Sequence, residues 1–216
     1  MTREEVQRFV GNGEGQFIEF KLRAPEPPRL AKEVIAFANS GGGRVFIGVD
    51  DDGTIVGVKD SAEEEFALQE ALSMYCRPKM RWTSERVQIT SKRDVIVVTV
   101  KSSPKKPHFL VTNPRDGSGP AYVRVQDKSI EASPESVMLM RAEHLEDGVQ
   151  FEFGQTELLL MRYLEQYSKV TVSGFAQIAN LTSRKAGKIL VTLTRANILD
   201  QYREDRGDYY MISFKE

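Results

Sequence analysis

The sequence predicts an α+β fold, with helices interleaved with a mixed or antiparallel sheet in a first unit and a smaller helical unit after it. Three observations carry this. Residues 17–22 alternate, with Ile18, Phe20 and Leu22 on one side and Phe17, Glu19 and Lys21 on the other, as in a strand with one buried face. Residues 30–39 set Leu30, Val34 and Phe37 at helical spacing, beside Ala31, Ile35 and Ala38. Apolar periodicity breaks over residues 145–154, around Asp147, Gly148 and Gly154, which divides the chain into residues 1–145, a linker 146–154 and residues 155–216.

The elements follow in order. The strand at 17–22 runs into Pro25, Pro27 and Pro28, a loop and then a helix start. That helix ends at Asn39-Ser40-Gly41-Gly42-Gly43, where glycine takes the left-handed conformation that closes a helix. Val45–Val49 and Thr54–Val58, joined by Asp50–Gly53, read as a hairpin. Ser61-Ala62-Glu63-Glu64 reads as a capping box that opens a helix through Tyr75. Strands are expected at Arg86–Thr90, Asp94–Lys101 and Ala121–Val125, and a helix from Ser133 to about His144, whose imidazole would neutralise the helix dipole.

Composition narrows the function. The chain has 216 residues, 40% hydrophobic and 28% charged, as in an ordinary globular protein. Its apolar runs fall short of the ~20 residues a membrane helix needs, and Met1-Thr2-Arg3-Glu4-Glu5 lacks the apolar core of a signal peptide, so a cytoplasmic protein with no membrane partner is expected. One cysteine (Cys76, expected in the core) and two histidines (His108, His144) exclude a disulfide framework and a zinc finger, and argue against a histidine-dependent hydrolase. Net charge is −1, but it is polarised: residues 46–76 sum to −7 and residues 77–128 to +8. The basic block either attracts phosphate or solvates a surface. Its Lys79, Arg81, Arg86, Lys92, Arg93, Lys101, Lys105 and Lys106 could line a backbone-binding groove, with Trp82 and Tyr122 either stacking on bases or filling the core. His108 is expected in a solvated loop.

Residues 155–216 read as a helix over Thr156–Tyr167, an extended link at Val170-Thr171-Val172, a short helix Gly174–Asn180 capped by Ser173, and a third helix capped by Thr182 or Ser183 that runs to Ala196. At ~100° per residue from Arg184, Ala186, Ile189, Leu190 and Leu193 fall at about 200, 140, 240 and 180°. Arg184, Lys185, Lys188, Thr192 and Arg195 fall at about 0, 100, 40, 80 and 20°. One face packs and the other presents cations, as a helix entering a major groove should. Ile198–Arg203 and Asp208–Phe214 then flank a turn. This order resembles a winged helix-turn-helix domain, a DNA- or RNA-contacting module or one used for protein contact. Asp200, Glu204, Asp205 and Asp208 in the wing weigh against nucleic acid.

Glu14 and Glu19-Phe20-Lys21, the run Ala36–Gly43, the run Phe46–Val58, and the later Ala121-Tyr122-Val123-Arg124-Val125 with Ala132-Ser133-Pro134-Glu135 resemble the Schlafen AlbA-like domain, also labelled divergent AAA-type and DNA-binding. The resemblance spans roughly residues 14–140 and implies an α+β nucleic-acid-binding domain, often followed by a winged helix. The AAA label suggests ATP, but no GxxxxGK[ST] string exists here, so ATP is not expected. Gly41–Gly43 could form an anion nest or a plain turn.

The resemblance also implies a nuclease reading, because some Schlafen proteins cleave RNA with three carboxylates and a divalent metal. Matched motif to motif, these are Glu14, Glu19 and Asp50, which would hold Mg²⁺ or Mn²⁺ and activate water. On a straight strand Glu14 and Glu19 lie ~17 Å apart, so they converge only if the chain bends at Gly13 and Gly15. Otherwise Glu19 and Lys21 are surface residues and Asp50–Gly53 an acidic turn.

The expected function is a nucleic-acid-binding protein, DNA before RNA, acting as a homodimeric transcriptional regulator that needs no cofactor. Its contacts are Lys21, Lys79, Arg81, Lys105 and Lys106 in the first domain and Arg184, Lys185, Lys188, Thr192 and Arg195 in the second. A metal-dependent endoribonuclease and a protein–protein adaptor are the alternatives.

Overall fold

The computed structural model describes residues 1–143, 149 and 151–214, and groups the chain into two compact units, Met1–Ala132 and Ser133–Glu216. His144, and residues 146–148 and 150 of the expected linker 146–154, lie outside the described residues. The first unit runs α1 (Arg3–Val10), β1 (Ile18–Lys21), α2 (Pro27–Asn39), β2 (Gly42–Ile47), α3 (Ser61–Tyr75), β3 (Cys76–Arg77), β4 (Trp82–Thr90), β5 (Arg93–Lys101), β6 (Phe109–Leu110), β7 (Tyr122–Val125) and β8 (Lys128–Glu131). Strands β1, β2, β5 and β4 form one sheet in that order, parallel between β1 and β2 and antiparallel elsewhere. The parallel pair needs a crossover, which α2 supplies.

Both faces of this sheet are covered. Val45, Ile47, Ile96 and Val98 pack against α2 and α3 through Val34, Phe37, Leu68 and Ala71. Phe20, Phe46, Val95 and Val97 pack against Val6 and Val10 of α1. The run Val95–Val98 is apolar at every position because alternate side chains enter different cores. Helix α1 opens on a capping box between Thr2 and Glu5. No element was expected there, although Thr2-x-x-Glu5 ahead of Val6 and Val10 carries the signal.

Two local expectations are corrected. Residues 54–58 form no strand: β2 pairs with β1 and β5, and the β-pairing of residues 49–58 is confined to the isolated bridges Val49–Ile55 and Val58–Asp94. Left-handed Gly48 (φ +105°) and Gly57 (φ +71°) turn the chain away from a ladder. Helix α3 is capped by Asp60, whose carboxylate accepts from the amides of Ala62 and Glu63. Ser61 lies inside the helix and donates to Asp94 at 2.5 Å. The glycine run after α2 is a site of close packing, since a Cβ on Gly43 would run into the Phe37 ring.

The second unit runs α4 (Pro134–Ala142), α5 (Gln155–Tyr167), α6 (Val172–Ile178), α7 (Ser183–Arg195), β9 (Leu199–Tyr202) and β10 (Tyr209–Ile212). Leu160, Leu164, Phe175, Ala186, Leu190, Leu193, Leu199 and Tyr210 form its core. Thr171, not Ser173, caps α6, and Thr182 caps α7. Strands β9 and β10 pair antiparallel, and Val170 exchanges two backbone hydrogen bonds with Tyr210. Helix α4, expected in the first domain, falls in this unit. Ser133 and Ser136 donate to Asp208, Arg203 donates to Ser136, and the Glu135 carboxylate fills the space that a Cβ on Gly187 would take. No helix among the described residues is long and apolar enough to cross a membrane.

Candidate nucleic-acid interface

The chain does bend before β1. Gly13 is left-handed (φ +76°), and Gly15 and Ile18 exchange backbone hydrogen bonds across a tight turn. The turn lets the Glu14 carboxylate accept from the Phe20 amide at 2.8 Å. Burial raises the Glu14 pKa, the Phe20 amide lowers it, and the charges of Glu19 and Asp51 raise it further, with Lys21 opposing. Glu14 and Glu19 therefore share one locality, and Asp51 is the residue of the acidic turn whose charge reaches Glu14.

Glu19 is not on an open face. It is 6% exposed and lies on the α2 side of the sheet, in register with Val45. Alternation predicts it outward, but this strand is covered on both faces. Its carboxylate is paired with Lys21, and Oε2 lies 2.6 Å from Nη2 of the fully buried Arg124. That approach is an ion contact rather than an aligned hydrogen bond, because Nη2 directs its hydrogens at the carbonyls of Gly15 (3.1 Å) and Ile18 (3.2 Å). Nη1 reaches Glu33 at 3.2 Å, and the guanidinium lies 4.9 Å from the Phe37 ring centroid. Arg124 thus fastens β7 to β1, α2 and the Gly15 turn. Sequence reasoning missed this role, and its one signal is a lone cation between Val123 and Val125.

Glu14, Glu19 and Asp50 as placed do not fit a divalent cation. Glu19 is committed to two cations, and Asp50 accepts from the Asp51 amide at 2.9 Å. Among the described residues no group of three His, Cys, Asp or Glu side chains is arranged to hold a metal ion. Lys21 is likewise engaged, with Glu19 and the Phe20 carbonyl.

The basic residues divide by environment. Lys79, Arg81, Lys101 and Lys105 are exposed around one cavity. Arg86 is held by Glu65, Arg93 donates to the Gly57 carbonyl, and Lys106 is half-buried and partnered. Trp82 and Tyr122 are partly buried against the α2–α3 core rather than standing free to stack. His108 is fully buried, which corrects the solvated-loop expectation. Burial lowers its pKa, with the Pro78 carbonyl opposing. Cys76 is also buried, its thiol pushed up to about 12 chiefly by desolvation.

On α7, Arg184, Lys185 and Lys188 are exposed, Thr192 and Arg195 half-buried, and Ala186, Leu190 and Leu193 buried. The helix presents cations opposite its core face. Asp208 is turned inward to Ser133, Ser136 and Gln201, so it adds little negative charge to the hairpin surface.

A mixed four-stranded sheet between helical layers, with its EFK strand locked by an arginine from a later hairpin, is the first unit's defining construction. The chain belongs to the Schlafen AlbA_2 family, whose model matches residues 14–133. Among solved structures, the chain is similar to the DIP2311 protein from Corynebacterium diphtheriae, at 15% identity and a TM-score of 0.48 over 97% of this chain. The match spans 37% of that protein's length. It is also similar to the N-terminal domain of an ATP-dependent DNA helicase RecG-related protein from Nitrosomonas europaea. That match has 21% identity and a TM-score of 0.42, covering 68% of this chain and 99% of the domain. No curated protein matches the chain.

Proposed function

We propose that this chain is a DNA-binding transcriptional regulator whose second unit is a winged helix. In this reading α7 enters the major groove and the β9–β10 turn meets the backbone. The carrying observation is the face of α7: Arg184, Lys185 and Lys188 stand in solvent, while Ala186, Leu190 and Leu193 anchor the opposite side in the core. The element order α5, α6, α7, β9, β10, with Val170 bridging to β10, supports it. Family membership supports a nucleic-acid-related role. A helix fits the B-DNA major groove, about 12 Å wide, and three cations on its outer face can meet phosphates and guanine edges. A homodimer would set two such helices on half-sites about 34 Å apart.

Selection from a random duplex library tests this reading. The wild-type chain should enrich a defined site, and the R184A/K185A/K188A variant should enrich none. Equal enrichment by both would remove α7 from the interface, and no enrichment by either would favour a protein-contact role.

A further inference from the structure

Between the turn that precedes β4 and the turn that follows β5, the first unit holds a cavity of about 530 Å³. Lys79, Arg81, Lys101 and Lys105 stand around it, half-buried Met80 and exposed Pro104 add apolar lining, and no carboxylate among the described residues lines it. Lys21, Arg86 and Arg124 of the same unit are each paired with a glutamate. The four cations at the cavity have no ion pair or side-chain hydrogen bond among the described residues. Like charges gathered around one concavity repel one another, and a bound anion relieves that repulsion.

The walls are fastened from beneath by His108. A carbonyl can only accept, so the 2.7 Å contact with Pro78 places the proton on Nδ1. Nε2 then accepts from the Ser103 hydroxyl, also at 2.7 Å. One buried ring thereby ties the Pro78–Arg81 wall to the Ser103–Lys105 wall. The backbone of His108 is in turn held at both its amide and its carbonyl by the Asn39 side chain.

We propose that this cavity binds a single-stranded nucleic acid, with the four cations holding successive phosphates and Met80 and Pro104 receiving an unstacked base. The inference rests on the nucleic-acid reading above but uses a different surface from α7. A duplex keeps its bases stacked inside and offers mainly phosphate to such a cavity, whereas a concave site lined by both cations and apolar side chains suits a strand whose bases are free. The volume lies within the ~300–1,000 Å³ of small-ligand sites. Lysines act on phosphate as point charges, so binding here should tolerate any sequence.

The test is anisotropy of a labelled oligothymidine and a labelled duplex against the full chain. The variants are K79Q/R81Q, K101Q/K105Q, the distant charge control K59Q/R115Q, and R184A/K185A/K188A. Losing two phosphate contacts at about 0.7 each in the single-strand salt slope should reduce that slope by about 1.4 and lower affinity about 25-fold at ~0.1 M salt. K59Q/R115Q should leave strand binding unchanged, and the α7 variant should lose duplex while keeping the strand. Strand binding by the cavity variants equal to wild type, or an equal loss in K59Q/R115Q, would overturn the proposal. Duplex binding scores α7 and strand binding scores the cavity, so the two failures are distinguishable.

Discussion

Arg124→Met is the sharpest probe of how the first unit holds together. The change keeps an unbranched apolar stem but removes the charge. It strips Glu19 of its 2.6 Å partner and Glu33 of its 3.2 Å partner, and removes the guanidinium donor from the carbonyls of Gly15 and Ile18, which keep only the backbone hydrogen bonds they exchange. Breaking a buried pair from one side costs about 3–5 kcal/mol, because a desolvated charge remains. Lys21 stays beside Glu19 and offsets part of this, which points to the low end, about 3 kcal/mol. At a urea m-value of roughly 2 kcal/mol per M, the midpoint should fall by about 1.5 M. Trp82 is the chain's single tryptophan and sits in this unit, so its fluorescence reports the transition. The double variant R124M/E19Q should recover part of the loss, since neutral glutamine needs no counter-ion, with a coupling on the order of 0.5–3 kcal/mol. A midpoint unchanged in R124M would refute the claim that this guanidinium fastens β7 to the sheet.

Other expectations use the same fluorescence readout. Glu14 has a raised folded pKa, chiefly from burial, so its contribution is fully present below the unfolded value near ~4.3 and is lost as pH rises through the folded one. E14Q, which can still accept from the Phe20 amide, should therefore gain on wild type between about pH 4 and pH 7; a widening deficit would contradict this. His108 has a depressed folded pKa from burial, so its contribution is present above ~6.5 and lost as pH falls through the folded value. Wild type should lose more stability in mild acid than H108Q, and parallel losses would show that the ring's protonation does not matter. Light scattering tests the dimer: a mass near twice 24.4 kDa is expected at working concentration, and one sharp 24.4 kDa species would exclude it.

Local periodicity makes much of this protein legible in its sequence. Leu30, Val34 and Phe37 mark α2, and the angular split on α7 separates Arg184 and Lys188 from Leu190 and Leu193 by residue spacing alone. Contacts between distant residues are not legible in this way. Glu19 and Arg124 meet across more than a hundred residues, and alternation within one strand cannot show that a helix covers its second face. The same blindness sets the domain boundary too late, because α4 is drawn to its unit by Asp208 and Gly187. Of the expected contacts, Arg184, Lys185 and Lys188 of α7 and Lys79, Arg81 and Lys105 are exposed and Arg195 is half-buried, whereas Lys21 and Lys106 are engaged within the fold. The family resemblance pairs Glu14 with Glu19, whereas spacing along a straight strand sets them ~17 Å apart and cannot reveal that Glu19 is held by two cations.

The most direct test of the central claim is the salt dependence of duplex binding by wild type and by R184A/K185A/K188A. Each phosphate contact contributes about 0.9 to the slope of log affinity against log salt, so three lost contacts should flatten it by about 2.7 and weaken binding about 500-fold at ~0.1 M salt. Parallel slopes with equal affinity would contradict a recognition role for α7.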